Sequence, residues 1–454
     1  MLTYELKKAP GIPLYEALYR CIRSDILSGK LAAGEKLPSK RALATHLEVS
    51  LITVETAYSQ LAAEGYILPR EKVGYFVERI QTIAPAPAKL HPLPKETAPR
   101  LLDLTANSPA KFPFSVWSRL QRQVLTDFGS HLLEPVPHQG CVELRQAIAA
   151  HLSGFRGMQV NPENIIIGAG TDFLYNLLLQ LLGTDRIYAL EEPGYSKIRR
   201  IYEAAGATAV AVGMDGEGVL PQAIQNAQVL HISPCHHFPT GIITSPQRRR
   251  ELLSWAEQGE NWIIEDDYDS EFRFDAHPMA AMYASDLAGR VIYINSFSKS
   301  LAPSIRIGYM VLPPALMAAF QARLDFYSCT VSAFEQHTLA RFLSGGHFEQ
   351  HINRMRKFYR ARRNKLLEIL KTCPWANMLT IEEADAGLHF ILQVETHLSD
   401  PELEAFCAGL GLQVRCLSRY YDGDVPPEGR HRIVVNYSGL QDDDLEKLAK
   451  ILKA

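Results

Sequence analysis

The sequence predicts an α/β chain made of two unlike units: a small helical unit closed by a β-hairpin, and a large unit built on a mostly parallel sheet. Three observations predict it. In the first 80 residues, apolar side chains recur at helical spacing and then fall into two short runs around a glycine turn. Beyond residue 160, short wholly apolar runs alternate with helical stretches. Between these regions lies a proline-rich stretch with no apolar periodicity.

At 454 residues the chain exceeds one ordinary domain. The expected division is 1–80, a linker over 81–100 carrying Pro85, Pro87, Pro92, Pro94 and Pro99, and 101–454. Apolar residues make up 47% and charged residues 21%, the balance of a globular protein. The formal net charge of −3 gives no bulk attraction to nucleic acid or anionic membrane, so any DNA binding must come from a local surface. Seven scattered cysteines without CxxC spacing argue against a disulfide framework and a structural zinc site. No secretory h-region and no membrane-spanning apolar run are seen, and a cytoplasmic protein is expected.

In the small unit, Leu14, Leu18, Cys21 and Ile22 share a helix face, and Gly29 stops that helix. Ser39 is placed to cap a second helix running to Leu47. Ser50 caps a third, with Val54, Ala57, Tyr58 and Leu61 on one face and Gly65 at its end. Tyr66–Leu68 and Tyr75–Val77 read as strands around Gly74. This element order is that of a winged helix-turn-helix.

In the large unit, strands are expected at 165–167, 187–190, 229–232, 262–264 and 291–294, with helices such as 173–182 and 247–258 between them. Ligands of open α/β sheets bind at the carboxyl ends of the strands. At those ends stand the residues that pyridoxal phosphate needs. Lys299 supplies an amine for a Schiff base, and Asp266 a carboxylate for the pyridine nitrogen. Tyr268 can reach the ring oxygen, and Tyr195 offers a face to stack on. Gly168-Ala169-Gly170-Thr171 opens a helix as a phosphate cradle, completed by Ser296, Ser298 and Arg306. Adjacent His236 and His237 have no acidic or thiolate ligand at metal spacing, so no metal site is expected.

Residues 101–454 resemble a fold-type I aminotransferase, through Gly140-Cys-Val-Glu-Leu-Arg145, Glu192-Pro-Gly-Tyr195, Pro239-Thr-Gly241, Ser296-Phe-Ser-Lys299 and Arg306-Ile-Gly308. Two longer runs, Glu-Asp-Asp-Tyr-Asp-Ser-Glu-Phe-Arg (265–273) and Ser-Pro-Cys-His-His-Phe-Pro-Thr-Gly (233–241), resemble the MocR subfamily of GntR-type regulators. Residues 12–79 are similar to the GntR winged helix through Gly34-Glu-Lys-Leu-Pro-Ser39-Lys-Arg41 and Val49-Ser50-Leu-Ile-Thr53-Val54. The resemblance implies a transcription regulator binding double-stranded DNA as a homodimer. Ser39, Arg41, Ser50 and Thr53 would lie near phosphates or bases, and Lys72 on the wing near the backbone. The effector implied is pyridoxal phosphate itself, with vitamin B6 genes as targets, or an amino compound condensed with it at Lys299. The rival expectation is a working aminotransferase.

Three departures bear on that rival. Val434 stands where such enzymes carry a carboxylate-clamping arginine, and Arg432 or Arg415 would have to compensate. Phe238 replaces the asparagine that bonds the ring oxygen, and no tyrosine occurs between residues 76 and 174 to serve a partner subunit. In the reading unit, Leu51 stands where the family commonly has arginine, and residues 1–80 carry 11 basic against 9 acidic side chains.

Overall fold

The computed structural model describes residues 2–4, 13–71, 73–79, 101–106, 111–274, 280–382 and 387–453. The chain divides into two compact units, Met1–Ala98 and Pro99–Ala454. The proline-rich stretch 81–100 and Lys72 lie outside the described residues.

The small unit contains α1 (Leu14–Leu27), α2 (Lys40–His46), α3 (Leu51–Ala63), β1 (Ile67–Arg70) and β2 (Gly74–Val77). Ser39 and Ser50 cap α2 and α3, accepting from the backbone N–H of Ala42 at 3.2 Å and Thr53 at 3.1 Å. The periodic residues Leu18, Ile22, Val54, Ala57, Tyr58 and Leu61 are fully buried and make the core. Strand β1 pairs antiparallel with β2 and runs on through Pro69 and Arg70, past the expected end at Leu68. An exposed hairpin tolerates that proline because its ring side needs no ladder donor.

The large unit begins with β3 (Leu102–Asp103), α4 (Phe114–Phe128), α5 (Val142–Arg156), β4 (Ile165–Gly168) and α6 (Thr171–Leu182). It continues with β5 (Ile187–Glu192), α7 (Ser196–Ala204), β6 (Thr208–Asp215), β7 (Gly218–Val219) and β8 (Val229–Ile232). Then come α8 (Pro246–Gln258), β9 (Trp262–Asp266), α9 (Met282–Ser285), β10 (Val291–Ser296) and β11 (Gly308–Val311). The sheet order is β4-β11-β10-β9-β8-β5-β6-β7. From β10 to β6 every pairing is parallel; β11 runs antiparallel to both its neighbours, and β7 to β6.

Helices cover both faces of this sheet, which is why its central strands are apolar throughout rather than alternating. Ile264, Ile292 and Ile294 pack on the α6 side, while Ile263 and Val291 pack against α8. All five are fully buried, and each such side chain contributes about 1.5–3 kcal/mol by leaving water. A second, three-stranded antiparallel sheet follows: β12 (Leu379–Glu382), β13 (His389–Val394) and, after the short β14 (Leu412–Gln413) that pairs with β3, β15 (Arg432–Asn436). Among the described residues no helix is long and apolar enough to cross a membrane.

Candidate functional site

Parallel register aligns the carboxyl ends of the central strands. Asp266, the last residue of β9, pairs with Ile294 of β10. Ser296 ends β10, and the chain then turns through Ser298 and Lys299. A cavity of about 280 Å³ opens at this edge. Thr171, Tyr195, Asp266, Tyr268, Ser296, Ser298, Lys299 and Arg306 all line it. Gly170 does not line it but lies beneath Arg306.

The three consecutive acids 265–267 divide by the strand's alternation. Glu265 points away and accepts from the backbone N–H of Met282 and Tyr283 at 2.8 and 2.9 Å, capping α9. Asp267 is buried in an ion pair with Arg156 at 3.1 Å and also accepts from the Tyr293 and Ser270 hydroxyls. Only Asp266 enters the cavity. Its Oδ2 accepts from the hydroxyl of Tyr175, which burial keeps protonated. Among the described residues its Oδ1 is buried without a hydrogen-bond partner. A buried carboxylate oxygen left open is a costly arrangement unless a ligand donor meets it.

Burial pushes the Lys299 ammonium down to about 8, opposed by the nearby charge of Asp269. A free amine is therefore accessible near neutral pH, as a nucleophilic lysine requires. Asp269 also holds His236, whose Nδ1 lies 3.0 Å from Oδ2 and 3.2 Å from the Tyr268 hydroxyl. His389 lies beside them, its imidazole pushed well below the ordinary histidine value by burial first and then by neighbouring His236 and Lys299. The ligand atoms of His236, Asp269 and His389 lie within 4.8 Å of one another. The fold thus gives His236 an acidic neighbour 33 residues away in sequence, correcting the isolation read from local spacing. His237 is separate. Burial takes it to about 3 and Glu191 up to about 8, so their 3.5 Å contact joins two mainly neutral groups at pH 7.

At the other end of the cavity, α6 presents its N-terminus. Gly170 precedes it at φ +84°, and a Cβ there would stand 2.7 Å from the Arg306 guanidinium. Arg306 and Lys197 both reach the Asp172 carboxylate, at 3.3 and 2.7 Å. Two cations on one acid leave net positive charge beside a helix N-terminus, a setting that suits a phosphate. Tyr195 stands just before α7, half exposed, with its ring edge-on to Phe238 at 5.9 Å.

The compensating arginines do not reach this space. Val434 is buried against Ile391 and Leu417. Arg432 donates to Gln393 at 2.8 Å and pairs with Glu382 at 3.3 Å, and neither it nor Arg415 lines the cavity. Tyr175, Glu191, His231 and Asp269 were missed in the sequence. Each acts through a partner far along the chain, a relation that local spacing cannot carry.

Taken together, the donor set fits a flat phosphorylated pyridine aldehyde: an open buried carboxylate, an accessible amine, a tyrosine hydroxyl and a cationic helix terminus. In the small unit, Ser39 and Ser50 are helix caps, the Thr53 hydroxyl lies 2.8 Å from the Ser50 hydroxyl, and Arg41 projects exposed from α2.

Residues 14–77 match the family described as bacterial regulatory proteins, gntR family. Three curated relatives align along nearly all of the chain. The "Uncharacterized HTH-type transcriptional regulator YhdI" of Bacillus subtilis is 37% identical, over 98% of this chain and 96% of its own. The "Probable rhizopine catabolism regulatory protein MocR" of Rhizobium meliloti is 32% identical, over 96% and 92%. The "HTH-type pyridoxine biosynthesis transcriptional regulator PdxR" of Corynebacterium glutamicum is 31% identical, over 93% and 92%. Among solved structures, an archaeal alanine:glyoxylate aminotransferase superposes with a TM-score of 0.69 at 23% identity, over 78% of this chain and 91% of its own. Pyrococcus horikoshii kynurenine aminotransferase gives 0.67 at 23%, over 78% and 90%. At that identity the likeness is one of fold.

Proposed function

The chain belongs to the MocR-type GntR regulators, transcription regulators with an aminotransferase-like domain, and from that premise we propose that its large unit binds pyridoxal phosphate and passes that signal to a DNA-reading unit. The observation that carries this reading is the buried, unpartnered Oδ1 of Asp266 in the same cavity as Lys299. When bound, the cofactor supplies an aldehyde carbon for primary amines and an electron-withdrawing ring.

The residues do the rest. Asp266 would hold a proton on the pyridine nitrogen. Lys299, buried and depressed to about 8, would present its free amine to the aldehyde carbon. Tyr268 would donate to the ring oxygen, and Tyr195 would cover the ring. The α6 terminus at Thr171, with Ser296, Ser298 and Arg306, would hold the phosphate. Phe238, edge-on to Tyr195, Tyr268 and Tyr420, excludes water without offering the ring a hydrogen bond.

Regulation follows from linkage. A ligand that binds two arrangements of a dimer unequally shifts their populations and hence DNA affinity. The dimer and its paired reading heads are part of this proposal. Val434 gives an amino acid carboxylate no clamp, which favours pyridoxal phosphate itself over an amino compound as the signal.

Reconstitution tests the reading. The apo protein should take up one equivalent of pyridoxal phosphate with a new visible absorption band, absent in Lys299→Ala. No saturable uptake would overturn it. The rival, a working aminotransferase, is favoured if amino acids bleach that band and a 2-oxo acid restores it through repeated cycles.

A further inference from the structure

We propose that the small unit recognises its DNA site through the C5-methyl groups of thymine, with Leu51 and Ile52 as the reading side chains. This rests on the reading of that unit as the DNA-binding one.

In a helix-turn-helix, the N-terminal residues of the second helix face base edges in the major groove. Here that helix is α3, and it opens on Leu51 and Ile52. Both are turned away from the core. Ile52 is 73% exposed and Leu51 42%, whereas Val54, Ala57, Tyr58 and Leu61 on the opposite face are at 0%. Two large aliphatic side chains thus stand in water at the position that meets DNA.

The same stretch lacks the side chains that read guanine or adenine bidentately. Bidentate recognition of guanine uses arginine or lysine, and that of adenine uses asparagine or glutamine. Residues 51–59 read Leu-Ile-Thr-Val-Glu-Thr-Ala-Tyr-Ser and contain none of the four. Thr53, Glu55 and Thr56 are already engaged. The Thr53 hydroxyl lies 2.8 Å from that of Ser50, and the Thr56 hydroxyl donates to the Ile52 carbonyl at 2.8 Å. Glu55 is paired with Lys40 of α2, which also screens its charge from the DNA phosphates. What α3 offers at its tip is apolar surface. The thymine methyl is the apolar group that the four standard bases display in the major groove.

The test selects duplexes from a random pool with the full-length protein. Each thymine of the enriched site is then replaced by deoxyuridine, which removes only the methyl. At one or more positions per half-site, affinity should fall about threefold to tenfold. The double variant Leu51→Ala, Ile52→Ala should bind the thymine duplex more weakly and lose the discrimination. Arg41→Ala, a phosphate-contact candidate, should weaken thymine and uracil duplexes alike and keep their ratio. Equal binding of both duplexes by the unmodified protein at every position overturns the methyl reading and leaves DNA binding standing. Discrimination that persists in the double variant overturns the assignment to these two residues. A pool that never enriches overturns the DNA-binding reading, and the methyl reading with it. The deoxyuridine series on the unmodified protein needs no variant to fold.

Discussion

Asp266 and Lys299 line one cavity: Asp266 ends β9 level with Ile294 of the parallel strand β10, and Lys299 lies in the turn that follows β10, five residues after Ile294. Strand register fixes the acid relative to β10, and the turn after Ser296 carries the amine into the same cavity.

Replacing Asp266 by alanine should therefore weaken cofactor binding without unfolding the unit. A charge-assisted hydrogen bond is worth about 1.5–3 kcal/mol, so the dissociation constant should rise roughly tenfold to a hundredfold. Titration of apo protein followed by the visible band measures it. Asp266→Asn should fall between, because it accepts a hydrogen bond but does not hold a proton on the ring.

Attachment through Lys299 should depend on pH in one direction. The amine is depressed from its ordinary value to about 8, so the free-base fraction grows from pH 7 to 9 and then levels. The rate of attachment should follow that curve. Asp269 favours the ammonium form, so Asp269→Asn should move the curve to lower pH. Stopped-flow mixing across pH 6.5–9.5, with the range set around that value, checks both.

At the phosphate end, Gly170→Ala should be costly for two reasons. The backbone is at φ +84°, and the added Cβ would press on Arg306. With ψ at 172° this is a backbone region populated essentially by glycine alone, and it costs an alanine about 1–3 kcal/mol. Displacing Arg306 should selectively reduce affinity for pyridoxal phosphate over unphosphorylated pyridoxal. A loss shared equally by both would place the fault in the fold and not in the cradle.

Asp267→Ala should behave differently from Asp266→Ala despite adjacency. It leaves the buried guanidinium of Arg156 without its carboxylate, and breaking such a pair costs about 3–5 kcal/mol. Denaturant unfolding should show the large loss for Asp267→Ala and little for Asp266→Ala.

The sheet is legible where strands are largely apolar and buried. Ile165–Ile167, Val229–Ile232 and Val291–Ile294 declare themselves by composition, and each precedes a cavity-lining turn. Three of the eight strands do not declare themselves, the two-residue Gly218–Val219 among them. Gly308–Val311 is short and glycine-led, and the chain around Arg306 and Gly308 was read as a motif. Thr208–Asp215 alternates, with mostly half-buried and exposed side chains near the sheet edge, so its pattern is weak. Residues that face the cavity from a strand end were found from their position. Residues that work through a distant partner were not. Asp269 reads as one more acid in 265–273 until the fold brings His236 and Lys299 to it. The loss at Val434 was legible, but its consequence was not. Whether Arg432 can substitute depends on Gln393 and Glu382 in the second sheet, which hold it elsewhere.

The most direct test of the central claim is DNA affinity measured in two cofactor states. The full-length protein, stripped and then reloaded with pyridoxal phosphate, is titrated against the duplex upstream of its own gene, alongside Lys299→Ala. The expected result is a change in affinity or footprint on reloading, lost in Lys299→Ala. Identical binding by stripped and reloaded protein would contradict the claim that the cofactor is the signal.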